Sequence, residues 1–423
     1  MSRVFAASQT VAGDNHYFHW DELRHRRSPD GLTHEQWWLA IKLARTGMRE
    51  LPLRDTQGKP FRFGLPTIVL EKLHHIDKEL GGHISVTEPS VLSPDTRDRY
   101  VIRSLIEEAI TSSQLEGAGT TRPVAREMIR TGRPPRDRGE QMILNNYRAM
   151  QSIRELRDEP LSPELLFELH RIVTENAIDN TSAVGRYRDE TEPVQVIDND
   201  NEVLHTPPPA KELPNRVELM CRFANGQTPS GFVHPVLRAI ILHFWLAYDH
   251  PFVDGNGRCA RSLFYWSMLH ETYWLAEFIA ISPIIRKSFA KYERAFLYSE
   301  TDDNDLTYFI IFHLNVLEQA IDQLREYIKQ TTERIRRIES LIRSSEAFNH
   351  RQLALLSHAL RHPNTLYTIR SHMNSHGVVY QTARSDLLDL ADRGLLRKAM
   401  RNGKYIFTPP GDLEQLLRKH KQD

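Results

Sequence analysis

The sequence predicts a mainly α-helical protein with more than one domain. Apolar residues recur at three- and four-residue spacing through most of the chain, and runs with strand character are sparse in its first 340 residues. A length of 423 residues also exceeds what one ordinary hydrophobic core accommodates. The helical spacing is clearest at 34–49, 97–112, 139–157, 161–177, 211–225, 234–249 and 257–270.

The composition is that of a globular protein in a reducing compartment. Charged residues make up 26% of the chain and the formal net charge at pH 7 is zero, so overall charge indicates neither nucleic acid nor membrane. Two cysteines form no disulfide framework. No apolar run approaches the roughly 18 residues of a membrane helix, and the N-terminus is too polar for a signal peptide. We expect a cytoplasmic protein without membrane contact.

A heptad pattern predicts one long helix at 307–345. Its apolar residues alternate in steps of three and four, which defines a seam along one side of the helix. The seam fits packing against the same domain, and it also allows a homodimer contact. The seam positions are Leu314, Leu317, Ile321, Leu324, Ile328, Ile335, Ile338 and Ile342, with Thr331 as the polar exception.

The chain after residue 345 predicts a winged helix-turn-helix. Helical patterns at 350–360, 365–374 and 381–393 precede two short strand patterns around Asn402-Gly403, a turn typical of hairpins. Residues 351–423 hold 12 Lys or Arg against 6 Asp or Glu, a net charge of +6.

The third helix of this segment is the candidate recognition helix for DNA. Residues expected to face a groove lie at its start, whereas Asp386, Asp389 and Asp392 weaken the electrostatic case, so a protein-binding module is the alternative. The candidate DNA contacts are Gln381, Thr382, Arg384 and Ser385, with Arg397, Lys398, Arg401 and Lys404 as candidate phosphate contacts.

A twelve-residue segment, 250–261, reads HPFVDGNGRCAR and carries the chemistry. His250 supplies a proton acceptor, and Asp254 supplies carboxylate oxygens of the kind that Mg²⁺ prefers. Pro251 disfavours continuation of the preceding helix. His250 is therefore expected at a helix end, facing a loop where its imidazole can reach a substrate.

The second half of this segment suits phosphate. Gly255, Asn256 and Gly257 can direct successive amide N–H groups into one concavity at the start of the next helix. Arg258 and Arg261 are three residues apart, so both guanidiniums are expected on one helix face, where they can bind further phosphate oxygens. A helix-loop-helix with mere caps and solvated arginines does not account for the full set in this order.

Segment 250–261 resembles the signature of the Fic family, His-Pro-Phe-x-(Asp or Glu)-Gly-Asn-Gly-Arg-x-x-Arg, at every fixed position. The segment Gly185-Arg186-Tyr187-Arg188 and the 234–249 helix are also similar to Fic domains. The resemblance implies a Fic-type helical bundle with a small β-hairpin flap. It also implies the usual Fic activity, which is transfer of AMP from ATP to a hydroxyl of a target protein.

The resemblance implies a role for each motif residue. His250 is the general base on a Ser, Thr or Tyr hydroxyl and Asp254 binds Mg²⁺, while Arg261 receives the γ-phosphate of ATP. An unperturbed imidazole titrates near neutrality, so His250 is expected to need little adjustment of its pKa. Doc-type kinases of the same superfamily carry Lys where this chain has Gly257, which favours AMP transfer over phosphorylation. The remaining phosphate-binding residues implied are Gly255, Asn256, Gly257 and Arg258.

An inhibitory pattern, (Ser or Thr)-x-x-x-Glu-(Gly or Asn), occurs N-terminal to the motif at Ser112–Gly117. In Fic proteins of this arrangement the glutamate pairs with the second motif arginine, which implies that Glu116 pairs with Arg261. A carboxylate there would exclude the γ-phosphate and misalign ATP. The alternative is that Glu116 is an exposed residue before the C-capping Gly117.

The predicted flap is a hairpin of Val194–Ile197 and Val203-Leu204 around an Asx-rich turn. Its strand could pair with an extended segment of a target protein. His205 and His243 fit core or surface histidines better than supporting residues of the site.

The domain prediction is therefore an N-terminal helical region at 1–90, a Fic domain at 91–345 and a winged-helix domain at 346–423. The Fic domain includes an inhibitory helix at 97–117 and the long helix at 307–345. Self-modification is expected, and the seam of the long helix leaves a homodimer open. Two alternatives remain open: removal of AMP by the same site, and a DNA-binding regulator whose Fic domain senses nucleotide.

Overall fold

A computed structural model gives the fold. It describes residues 2–11, 16–29, 31–81, 94–197, 203–343, 348–362, 365–401 and 403–419. The chain forms two compact units: Met1–Ile84 with Ser104–Ile321, and Ser85–Arg103 with Asp322–Asp423. No helix of the described residues is both long and apolar enough to cross a membrane.

The N-terminal part of the first unit combines helices with a hairpin. A capping box between Thr33 and Gln36 starts the helix α3. Residues 34–49 were predicted as one helix, but α3 ends at Ala44 and a strand begins at Arg49. The elements are α1 Ser2–Val11, α2 Trp20–Leu23, α3 His34–Ala44, β1 Arg49–Arg54, β2 Pro60–Phe63 and α4 Thr67–Ile76.

The β1–β2 hairpin was not predicted. Its strand signal is a short alternation in which Leu51, Leu53, Phe61 and Phe63 are all at most 3% exposed. Four to six residues per strand are too few for the alternation to stand out in the sequence. The strand β2 also bonds to a segment far away in the sequence, because the Arg62 amide donates to the carbonyl of residue 304 over 3.0 Å.

The predicted helices of the central region are confirmed, with ends shifted by a few residues. The helix α10 is buried on nearly all sides and packs against α11, which makes this pair the centre of the unit. The elements are α5 Pro94–Leu115, α6 Arg122–Thr131, α7 Arg138–Glu155, α8 Pro163–Thr174, β3 Val196–Ile197, β4 Val203–His205, α9 Leu213–Ala224, α10 Pro235–Asp249, α11 Asn256–His270, α12 Ser282–Lys287, α13 Phe289–Thr301 and α14 Thr307–Arg343.

The predicted flap hairpin is present as the antiparallel pair β3–β4. Its Asx-rich turn at 198–201 lies outside the described residues. We call β3 and β4 together the flap.

The long helix is present as α14, and the first part of its seam packs within this chain. Leu314, Leu317, Ile321 and Leu324 are at most 4% exposed, and Ile328 is half-buried. The later seam side chains, Thr331, Ile335, Ile338 and Ile342, lie outside the described residues. A homodimer contact there stays a prediction.

The C-terminal part of the second unit has, in its described residues 348–419, four helices and a three-stranded antiparallel sheet of order β5-β7-β6. The segment predicted as a helix at 365–374 begins as a short strand, because Tyr367 pairs with Phe407 before the helix starts. Leu356, Leu390 and Phe407 lie in its buried core. The elements are α15 His350–Arg361, β5 Tyr367–Thr368, α16 Ile369–His376, α17 Tyr380–Asp392, β6 Arg397–Arg401, β7 Lys404–Thr408 and α18 Leu413–Lys419.

Candidate active site

The loop that carries His250 begins where α10 ends. His250 has φ +47° and caps the helix in the left-handed conformation, which turns the chain away from the helix axis. Its Nδ1 lies 3.2 Å from the carbonyl oxygen of Ala247. A carbonyl only accepts, so Nδ1 carries the proton and Nε2 is left as the basic nitrogen. The side chain lines a cavity of about 750 Å³.

Burial lowers the pKa of His250 to about 4, against the opposing effects of the Ala247 carbonyl and the Glu116 charge. The expectation that His250 needs little adjustment is therefore wrong. At neutral pH the imidazole is uncharged, which is the form that a general base requires. Its low pKa makes it a weaker base than free imidazole.

The loop after His250 is held in shape from inside by Asn256. Its Oδ1 accepts from the Phe252 amide over 3.0 Å, and its Nδ2 donates to the Phe252 carbonyl over 2.8 Å. Asn256 is 2% exposed. Both polar ends of this side chain are thus used within the loop, so Asn256 shapes the loop rather than facing a phosphate as expected.

At two positions of the motif, a glycine lets a side chain from another part of the chain lie close to the backbone. Gly255 has φ +86°, and a Cβ there would lie 2.9 Å from Cγ2 of Thr174. At Gly257 a Cβ would lie 2.1 Å from Oε1 of Glu116. The Glu116 carboxylate therefore sits against the first turn of α11, the positive helix end where a phosphate was expected.

Arg258 lies behind the loop and not in the cavity. It is fully buried. Its Nη1 donates to the Val173 carbonyl over 2.6 Å, and its Nη2 lies 3.2 Å from Oδ1 of Asp254. In this arrangement Arg258 orients Asp254 and anchors the loop to α8, which differs from the expected phosphate contact.

Asp254 is half-exposed and lies between two cations. Arg258 contacts one of its oxygens, and Nη2 of Arg138 contacts the other at 3.2 Å. Among the described residues, no group of three or more His, Cys, Asp or Glu could hold a metal ion. Mg²⁺ is commonly bound by one or two carboxylates together with substrate phosphates and water. One orientated, half-exposed carboxylate on the loop after His250 fits that kind of site and no all-protein one.

Arg261, like Arg258, lies on α11. It contacts α5 and forms an ion pair with Glu116, the residue that follows α5. Its Nε donates to Oγ of Ser112 over 2.7 Å, and its Nη2 donates to the Ser112 carbonyl over 3.0 Å and to Oε1 of Glu116 over 2.8 Å. Arg261 is 3% exposed. Gly117 follows with φ +90° and ends α5, which leaves Glu116 at the helix end. The pairing expected from the inhibitory pattern is present in this geometry.

Two residues outside the motif also hold the loop. Nδ1 of His170 accepts from the Gly185 amide over 2.9 Å, and its Nε2 donates to the Asp254 carbonyl over 3.0 Å. Arg188 donates to the His250 carbonyl over 2.8 Å. Arg188 belongs to the quoted Gly185–Arg188 segment, whereas nothing in the sequence distinguishes His170 from an ordinary core histidine.

The cavity brings His250, Gly257 and Arg261 together with Glu116 on one side. The flap and α13 supply mostly apolar side chains on the other side. These are Val196, Leu204, Phe289, Ala290, Phe296 and Leu297.

The candidate DNA contacts lie on the outer side of α17. Gln381 and Ser385 are exposed, and Thr382 and Arg384 are half-buried. Arg397, Lys398, Arg401 and Lys404 are exposed on the β6–β7 hairpin, of which Asn402 lies outside the described residues.

Comparison with known proteins identifies the segment around the loop. Residues 160–268 match the model of the Fic/DOC family. The chain is also similar to proteins named protein adenylyltransferase Fic. The one from Nematostella vectensis is 23% identical over 273 residues, which cover 62% of this chain and 59% of that protein. The one from Drosophila melanogaster is 28% identical over 144 residues, which cover 34% of this chain and 27% of that protein.

The chain thus spans less than two thirds of the length of these relatives. Among solved structures, a Fic family protein from Desulfovibrio desulfuricans G20 has a TM-score of 0.53 at 20% identity, over 81% of this chain and 96% of that one. A Fic domain containing signaling protein from Bacteroides thetaiotaomicron VPI-5482 has a TM-score of 0.50 at 20% identity, over 62% and 97%. These similarities confirm the predicted mainly α-helical, Fic-type fold, and the winged-helix domain stays a prediction.

The contacts of His170 predict a large stability effect from a small change. His170→Phe keeps a ring that can stack on Phe252, whose centroid lies 3.8 Å away, but it removes both hydrogen bonds to the loop. Two backbone groups then lose their partners, and we expect a loss of about 2–4 kcal/mol in the free energy of unfolding. Differential scanning calorimetry of the full chain measures it.

His313→Phe is the matched control. His313 is 1% exposed, and within the described residues its Nε2 has no hydrogen-bond partner. Equal losses in the two variants would contradict the role given to His170.

Proposed function

Because the chain carries a Fic domain, we propose that it is a protein adenylyltransferase that moves AMP from ATP to a Ser, Thr or Tyr hydroxyl of a target protein. One observation supports this most strongly: His250, the first turn of α11 and Arg261 meet in a single cavity. A base, an anion-binding helix end and a cation are the groups that this transfer needs. The names of the relatives agree with it.

The proposed reaction uses His250 as the base. Its Nε2 takes the proton of the target hydroxyl as that oxygen attacks the α-phosphorus, a new P–O bond forms, and the bond to pyrophosphate breaks. Amide groups at the start of α11 and the Arg261 guanidinium bind the phosphates and stabilise the departing charge. Asp254 would hold Mg²⁺, which when bound supplies further neutralisation of that charge. Positioning and electrostatics therefore account for most of the rate.

We propose further that Glu116 restrains this activity. Its carboxylate pairs with Arg261 and lies against Gly257, the place proposed for a phosphate. The Glu116 carboxylate repels a phosphate at this place, and the Arg261 guanidinium that would bind the phosphate is already paired. ATP therefore binds with its phosphates displaced. The ion pair is mostly buried, with Glu116 26% and Arg261 3% exposed, so solvent screens it little.

If Glu116 restrains AMP transfer, two substitutions should change the rate of that transfer in opposite directions. Glu116→Gly should raise AMP transfer by about 100-fold, the factor that a displacement of about 1 Å in a reacting group costs. His250→Ala in that background should lower it by about 100-fold or more, as expected for loss of a general base. Labelling with ATP that carries ³²P at the α-phosphate, read on a gel and by mass spectrometry, reports the transfer, the added group and the acceptor.

Glu107→Gly is the control, because Glu107 lies within α5 and pairs with Arg126 outside the cavity. It also replaces a glutamate with glycine, with a larger helix penalty because of its interior position, but leaves the pair of Glu116 and Arg261 in place. Equal labelling by wild type and Glu116→Gly would contradict the proposal that Glu116 restrains AMP transfer.

Removal of AMP is the second candidate for this site, because the Glu116 carboxylate shares the cavity with His250 and its charge acts on that residue. In that reaction Glu116 would orient a water molecule. Target protein that already carries AMP distinguishes the two reactions: loss of the label with wild type but not with Glu116→Gly indicates removal.

We also propose that the C-terminal unit is a winged helix that binds DNA through α17 and the β6–β7 hairpin. Two of the three acidic residues that weakened this prediction, Asp386 and Asp389, are engaged within the unit, whereas Asp392 is exposed. Asp386 is 5% exposed and accepts from Arg351 over 2.7 Å, and Asp389 pairs with Arg393 at 2.9 Å. Their charges therefore oppose the basic residues less than the sequence suggests.

The cations of this surface support DNA as the partner. Within the part of the chain that the structure describes, the half-buried Arg384 and the exposed Arg397, Arg401 and Lys404 form no ion pair. Unpaired cations on a helix and the adjoining hairpin are the kind of groups that neutralise the phosphates of a duplex.

If α17 and the β6–β7 hairpin bind DNA, the affinity of the protein for DNA should fall as the salt concentration rises. Arg384→Glu with Arg401→Glu should weaken binding of the full chain to random duplex DNA by at least about tenfold at 50 mM salt, and should lower the salt dependence of binding. Fluorescence anisotropy against salt concentration measures both. Arg130→Glu with Arg222→Glu, charge reversals at exposed positions of α6 and α9, controls for the same change in net charge. Equal loss in the control would contradict a specific surface.

Self-modification, a homodimer through the 307–345 helix and a cytoplasmic location stay predictions. So do the domain boundaries at 90 and 345.

A further inference from the structure

His205, the last residue of β4, is bound through both of its ring nitrogens. Nδ1 lies 2.9 Å from Oε2 of Glu300, and Nε2 lies 2.7 Å from the carbonyl oxygen of Tyr248. A carbonyl and a carboxylate both accept, so both ring nitrogens donate. In this geometry His205 is an imidazolium.

The two partners of His205 belong to different walls of the cavity. Glu300 lies at the end of α13, and Tyr248 lies in the last turn of α10, two residues before His250. All four side chains line the same cavity. One charged ring therefore connects the flap, the apolar wall and the helix end from which the His250 loop begins.

The bond to Tyr248 uses a carbonyl that the helix itself does not satisfy. The last carbonyls of a helix lack internal partners and carry partial negative charge, so a cation placed there is favoured. The His205 ring is 10% exposed and the Glu300 side chain 24%. Charge-assisted hydrogen bonds at this depth are stronger than neutral ones.

We propose that His205 is a positioning residue that, as a cation, fixes the flap against α13 and the end of α10, and thereby sets the position of the target segment over His250. This rests on the proposed function. A neutral ring would keep the bond to Tyr248 but would turn a lone pair toward the Glu300 carboxylate. The link between flap and α13 would then be lost, while the nucleotide-binding end of the cavity would stay intact.

The charges around His205 decide the pH at which this happens. Burial lowers the pKa of His205, but the hydrogen bond and charge of Glu300, the Tyr248 carbonyl and the charge of Asp249 outweigh it, so its pKa is raised. Asp249 is itself paired with Arg216 of α9 at 2.7 Å. On the loop side the neighbour is His250, and the His205 charge acts to lower its pKa.

The sign of the pH effect follows from these shifts. A raised pKa means that the link is present below that pKa and is lost as the pH rises through it. AMP transfer to a target protein should therefore fall on the alkaline side as His205 loses its proton, and on the acidic side as His250 gains one. Removal of His205 should abolish the alkaline fall and move the acidic limb to higher pH.

The test compares His205→Gln and Glu300→Gln in the Glu116→Gly background. We expect the KM for the protein acceptor to rise by about tenfold or more, the factor for losing a charge-assisted hydrogen bond. The affinity for ATP, measured by calorimetry, should change less than about threefold. The pH profile of His205→Gln should lack the alkaline limb. Glu293→Gln, a second carboxylate that lines the cavity from α13, should keep that limb.

A second measurement does not depend on activity. Hydrogen exchange of the 203–209 peptide at pH 7 should be faster in His205→Gln and in Glu300→Gln than in the parent, because the flap is released. Unchanged exchange, or an alkaline limb that persists in His205→Gln, overturns the proposal. If the parent transfers no AMP while exchange still responds as expected, the proposed function fails and the link between flap and α13 stands.

Discussion

The buried Arg261 guanidinium is the constraint on which the rest of the site depends. A charge that is 3% exposed must be paired. The chain pairs it with Ser112 and Glu116, which are separated from it by 149 and 145 residues. The geometry at Gly257 places the same carboxylate against the first turn of α11. One anion position is thus defined by a cation and a helix end, and in the proposed function the anion bound there decides whether the site is closed or ready.

Four side chains hold the loop between α10 and α11 in the structure. Asn256 spans it internally, His170 joins it to α8, and Arg188 and Arg258 hold its two ends. None of these four contacts needs a ligand. The contacts that shape the proposed phosphate site therefore form without a ligand, which would lower the cost of reaching the transition state. In the proposed reaction, Glu116 is the element at this site that must leave, and the flap is the element that must be held in place.

The sequence predicted the parts of the site that are contiguous. Segment 250–261 and the Ser112–Gly117 pattern were predicted from the sequence alone, because the residues of each are close neighbours along the chain. What the sequence missed depends on burial by distant segments. The sequence predicts Arg258 as a phosphate ligand, but in the structure Arg258 is buried and donates to the Val173 carbonyl. The pKa of His250 falls mainly because the fold encloses its side chain. The β1–β2 hairpin was missed because short alternating runs give a weak signal, and His205 because Glu300 lies 95 residues away.

The central claim is that Glu116 and the terminal phosphate of ATP compete for Arg261. Isothermal titration calorimetry of ATP and ADP, with wild type and Glu116→Gly, tests it most directly. The claim predicts similar affinities for ATP and ADP in wild type, and a preference for ATP of about tenfold or more in Glu116→Gly, because the freed guanidinium then binds the extra phosphate. The same ratio of ATP to ADP affinity in both proteins would contradict it.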